Sequence, residues 1–103
     1  VPAYIVARMA IRDPEAFDRY KSRSVAAVRR FGGRFLSRGG AMECLEGNAD
    51  PRRLVILEFD DAEQARTFYW SEDYQSARQY RIGATDSMDI ILTQGFEPGH
   101  PQE

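Results

Sequence analysis

Four charged residues interrupt stretches that are otherwise branched, apolar or aromatic: Arg8, Arg38, Glu58 and Asp89. Each stretch alternates, and the alternate set lacking these charges is largely apolar, so that set is expected to face the core and the charged set to face the opposite way. Charges in a mostly apolar layer are costly unless paired or hydrogen-bonded. A cross-strand ion pair between Arg8 and Glu58 is the plainer expectation. The functional alternative is a polar pocket in which an arginine fork holds a carboxylate or enolate, while Glu58, raised by burial, shuttles a proton. A second group follows the aromatic run Phe68-Tyr69-Trp70: Ser71, Tyr74, Arg78, Arg81 and Asp86. Tyr74, Arg78 and Arg81 are spaced to share one helix face, where a phenol and two guanidiniums can converge on an anionic or aromatic ligand. Against this stand a helix cap for Ser71, arginines solvated or paired with Asp73 and Asp86, and core packing for the aromatics. The site expected from these groups has Glu58 and Tyr74 in catalytic roles and Arg38, Arg81, Arg8 and Ser71 as contacts to a small anionic or aromatic ligand.

Other chemistries find little support. Cys44 is the single cysteine, and His100 the single histidine, in a stretch rich in Pro and Gly. One of each does not build an ordinary zinc site, and no metal or other cofactor is expected. No base near Cys44 in sequence would hold its thiolate, so a buried, inert thiol is expected. Haem is disfavoured because no histidine falls within the expected folded part. Gly39-Gly40 matches neither dinucleotide nor phosphate-loop spacing. The formal net charge of -2, with Lys and Arg scattered, offers no basic stripe for nucleic acid. The longest apolar runs, Leu54 to Leu57 and Ile90 to Leu92, fall far short of the roughly 20 residues that cross a bilayer. A lone cysteine and no apolar leader fit the cytoplasm.

The elements that must position these residues can be read in order. Ala3 to Ile11 is strand-like, with Ile5, Ala7, Met9 and Ile11 on one face. Asp13-Pro14-Glu15 supplies a cap, a first-turn proline and a first-turn acid. Phe17, Tyr20, Ser24, Ala27, Val28 and Phe31 continue at helical spacing to Gly32-Gly33, which ends the helix. Arg34 to Gly47 reads as a strand bent or bulged at Gly39-Gly40, with Asn48, Asp50 and Pro51 turning the chain. Leu54 to Phe59 is the next strand. Asp60 or Asp61 caps a short helix through Trp70, and Ser71 starts a further helical piece to about Ile82. Met88 to Gln94 is the last strand.

Strand, helix, strand, strand, helix, strand is the ferredoxin-like order, an α+β fold whose four-stranded antiparallel sheet carries its helices on one face. With 103 residues, 43% of them hydrophobic, one domain over 1–103 is expected, with 97–103 as a flexible tail. The helix-free face would expose Val6, Leu54, Ile56 and Ile91 together, and a second copy of the same sheet is its simplest cover, giving a homodimer.

Pro2-Ala3-Tyr4, Asp13-Pro14-Glu15 with Phe17 and Tyr20, Gly32-Gly33-Arg34-Phe35, Arg38-Gly39-Gly40, Glu46-Gly47, Glu58-Phe59, Ser71-Glu72-Asp73-Tyr74-Gln75 and Arg78 to Arg81 stand in this order. Over about residues 2–95 the set resembles the small bacterial proteins grouped as domain of unknown function 1330, in the dimeric α/β-barrel superfamily. The resemblance implies ferredoxin-like subunits with sheets packed face to face. It leaves the reaction open, since the superfamily includes cofactor-independent monooxygenases, isomerases, haem enzymes and stress proteins. Three functions are therefore in play. One is an enzyme without metal or nucleotide, doing proton transfer or oxygenation on an organic acid or quinol-like compound. The others are a ligand-binding or stress-associated module without turnover, and a structural dimer with no pocket.

Overall fold

The alternation in Ala3 to Ile11 makes β1 (Ala3–Ile11) in a computed structural model, in which residues 1–99 are described. Ala3, Ile5, Ala7 and Met9 are buried on one face, as their spacing requires. Helix α1 (Pro14–Arg30) starts where Asp13 accepts a hydrogen bond from the Ala16 amide at 3.2 Å. It ends at Gly32, whose φ of +79° is open to glycine at little cost. Its buried face is Phe17, Tyr20, Ala27 and Val28.

Three further strands and two helices complete the chain: β2 (Arg34–Arg38), β3 (Arg53–Phe59), α2 (Ala62–Trp70), α3 (Glu72–Arg81) and β4 (Thr85–Gln94). The sheet order is β2-β3-β1-β4 with every neighbour antiparallel, so the ferredoxin-like arrangement is observed. Between sheet and helices, Phe59, Phe68 and Val28 are almost fully buried, each contributing about 1.5–3 kcal/mol of burial energy.

Two stretches differ from expectation. The second strand stops at Arg38 instead of running to Gly47. Arg38 already lies opposite Val55, and the Gly39 amide donates to the Leu54 carbonyl, so β3 has almost no length left for a continuing partner. Gly39 leaves the ladder at φ +67°, and residues 40–49 are exposed. Cys44 lies there, so it is an exposed thiol and not a buried one. The last strand begins at Thr85, three residues early, because β1 still offers Ala10 and Ile11 for pairing with Ser87 and Thr85. The expectation placed on His100 lies outside the described residues, as do positions 100–103 of the expected tail.

Candidate functional site

The charges expected to converge are divided between the two faces of the sheet. Glu58 lies opposite Tyr4 on β1 and Arg34 on β2, on the face without helices. It accepts a hydrogen bond from Arg34 Nε at 3.0 Å, and Arg34 also reaches Asp60. Arg8 shares that face but pairs with Asp50 at 2.9 Å, so the expected Arg8–Glu58 bridge is replaced by two separate ones. The register explains this: Arg8 stands opposite Leu54, four residues from Glu58 along β3. Asp50 also holds Arg52, which bridges onward to Asp89. Hydrogen bonds from Arg52 and Arg8 keep the Asp50 carboxyl well below the usual carboxylate range.

Arg38 was expected on this same face and is not. The pairing of β2 with β3 slips between Phe35 and Ser37, so Arg34 faces with Glu58 while Arg38 comes opposite Val55. One extra residue reverses the parity of everything after it. Arg38 therefore lines a cavity on the helix side, between α1 and the sheet, with its guanidinium 4.8 Å from the Phe35 ring centroid. The cavity is partly open, with a volume of about 50 Å³.

Tyr74 also lines that cavity and is almost fully buried. Its hydroxyl lies 2.9 Å from that of Tyr20 on α1, and the two rings meet edge to face at 6.2 Å. Burial, followed by the neighbouring Tyr74, pushes the Tyr20 phenol far above the ordinary tyrosine range. Tyr20 thus keeps its proton at any physiological pH and is not a base, and either hydroxyl of the pair can donate to the other. Arg81 does not line the cavity. It is 7% exposed, its Nε has no hydrogen-bond partner among the described residues, and its guanidinium sits over the Tyr20 ring, 5.6 Å from the centroid. Ser71 is a cap: its hydroxyl accepts from the Tyr74 amide and donates to the Phe68 carbonyl, leaving little for a ligand. Of the expected set, Arg38 and Tyr74 share a cavity, Arg81 touches it through Tyr20, and Arg8, Glu58 and Ser71 lie elsewhere.

Arg53, Lys21 and Ser24 also line the cavity and were not singled out from the sequence. Arg53 could have been: extending the core-facing set Val55, Leu57, Phe59 back by two residues lands on it. Among the described residues, no Asp, Glu or His lines the cavity, and no group of three or more His, Cys, Asp or Glu is arranged to hold a metal. No helix of the described chain is long and apolar enough to cross a membrane.

A family model described as domain of unknown function (DUF1330) matches residues 2–96. The chain belongs to this family. No curated protein matches the DUF1330 chain. Among solved structures it is similar to RPA0582, a protein of unknown function from Rhodopseudomonas palustris, with TM-score 0.76 and 18% identity over 94% of this chain and 84% of that one. A dimeric protein of unknown function and ferredoxin-like fold from Bacteroides fragilis gives TM-score 0.66 and 13% identity, covering 91% and 96%. SnoaB, a cofactor-independent oxygenase from Streptomyces nogalater, gives TM-score 0.67 and 15% identity over 95% and 96%. At such identities these likenesses establish that the DUF1330 chain shares their fold.

Proposed function

We propose that this DUF1330 chain is a one-domain, homodimeric small-molecule protein whose ligand occupies the cavity between α1 and the sheet. The single observation that carries the reading is the composition of that cavity. Apolar and aromatic walls surround a buried phenol pair, and the charged groups among its lining residues, Lys21, Arg38 and Arg53, are all cationic. Such a combination suits a small organic acid better than a quinol-like compound.

Binding without proton abstraction is the favoured mode. Glu58 is separated from the cavity by the sheet, and Tyr20 holds its proton, so a general base is lacking among the lining residues. A second reading rests on the phenols. A hydrogen bond from the Tyr20–Tyr74 pair would stabilise an oxyanion that a bound substrate forms by its own acidity, the step from which oxygenation without metal or nucleotide starts. The fold shared with SnoaB is compatible with it. The exposed Cys44 thiol suits reducing surroundings, which keeps the cytoplasm as the proposed location.

A thermal-shift screen against small metabolites tests the reading. A ligand at one hundred times its dissociation constant adds about 2.7 kcal/mol, on the order of ten degrees for a domain this size. Ser24→Leu, which fills the cavity from α1 with an apolar group, should suppress the shift and leave the protein folded. A wild type that responds to nothing, or responses that Ser24→Leu leaves intact, would sink the proposal.

A further inference from the structure

Arg38 and Arg53 differ from the arginines on the other face of the sheet. Arg8, Arg34 and Arg52 are each ion-paired. Arg38 and Arg53 have no ion pair among the described residues, and Arg53 Nε is buried with no hydrogen-bond partner there. Lys21, the third cation of the cavity, is engaged with Asp18 at 3.1 Å. The buried Arg53 Nε, left without an acceptor, is expensive to keep unless an anion binds its guanidinium, while Arg38 stands exposed at the cavity's edge with its charge uncompensated among the described residues.

The two also stand at the same end of the sheet. Arg38 is the last residue of β2 and Arg53 the first of β3, across the same end of the ladder. Gly39 helps to place the second of them: a Cβ there would collide with the Arg53 guanidinium, which lies against bare backbone. A fork fixed in this way offers parallel N–H groups of the kind that take a carboxylate with two hydrogen bonds.

Volume limits what the carboxylate is attached to. Benzene occupies an apolar cavity of about 150 Å³, three times the volume of this partly open one, so the hydrocarbon part that fits inside is about two to four carbons. We infer that the cavity selects a short aliphatic carboxylate, its anionic end held by Arg38 and Arg53 and its apolar end inside against the phenol pair. The inference rests on the cavity being the ligand site.

Matched compounds separate the two ideas. Isobutyrate and isobutyramide have nearly the same shape and differ in charge. Isobutyrate should raise the melting temperature of the wild type in a concentration-dependent way, and isobutyramide should not. Arg53→Met should weaken isobutyrate about tenfold or more, the scale of a lost charge-assisted hydrogen bond. Arg38→Met should weaken it too; because that side chain is exposed, the variant gives a readout even if Arg53→Met folds poorly. Equal shifts from acid and amide, both abolished by Ser24→Leu, would overturn the carboxylate and keep the cavity. A benzoate shift as large as that of isobutyrate would overturn the size limit. An isobutyrate shift that survives both arginine variants and Ser24→Leu would overturn the carboxylate site and the cavity together.

Discussion

Tyr20 is the residue on which the chemistry of the cavity turns, because its state decides whether the phenol pair gives or takes a proton. Burial raises its pKa, so the neutral form is the one the fold favours. The sign follows directly. Below the ordinary tyrosine pKa of about 10 the protonated phenol contributes fully. Above it the unfolded chain releases a proton that the folded chain retains, and stability falls by up to about 1.4 kcal/mol per pH unit. Tyr20→Phe should cost about 1 kcal/mol at neutral pH through the lost hydrogen bond to Tyr74. Above pH 10 its melting temperature should fall less steeply than that of the wild type. Parallel slopes for the two proteins from pH 9 to 11 would contradict the assignment. At this scale the sequence was only partly readable. Tyr74 and Arg38 were identified as chemistry-bearing, but Tyr20 read as one more apolar position of α1, since spacing cannot tell a core tyrosine from one whose hydroxyl meets another. Glu58 was read with the correct parity, on the face away from the cavity beneath the helices.

Ser71 is first of all the punctuation between two elements. It closes α2 through its hydroxyl bond to the Phe68 carbonyl and opens α3 by capping the Tyr74 amide, so one side chain serves the ends of two short helices. Ser71→Ala should lower stability by about 1 kcal/mol, a few degrees of melting temperature, with the affinity for isobutyrate unchanged. Lost affinity at unchanged stability would return Ser71 to the ligand site. The caps at Asp13, Asp61 and Ser71 were all legible, since a cap is a local contract between neighbours. Strand β2 was not. The run after Gly39-Gly40 reads as extended from the sequence, but a strand needs a partner, and β3 is used up at Arg53. The slip between Phe35 and Ser37 was equally hidden, because a bulge is a property of two strands and only one is read at a time. That slip moved Arg38 from one face of the sheet to the other and so created the cavity's cationic mouth.

The molecule as a whole is flatter than a chain of its length should be. Its principal extents are 45 × 37 × 17 Å, and its radius of gyration is 14.4 Å, against about 13 Å for a compact 100-residue domain. The reason is the uncovered face, where Val6, Leu54 and Ile56 are only half-buried and Ile91 is 59% exposed. An apolar face of this kind is expected to meet a second copy, which adds the missing layer. The proposal for the cavity depends on it. If paired sheets close the open face, the helix side is left for the ligand; if that face stays open, the groups around Glu58 become the more accessible site. The particle mass in solution, by light scattering on a sizing column at micromolar concentration, is the direct test. The wild type should give about twice the chain mass of 11.8 kDa, and Ile56→Asp, with an unpaired charge in the intersheet layer, should dissociate or unfold. A wild type of single-chain mass, or an Ile56→Asp variant as dimeric and stable as the wild type, would contradict the account.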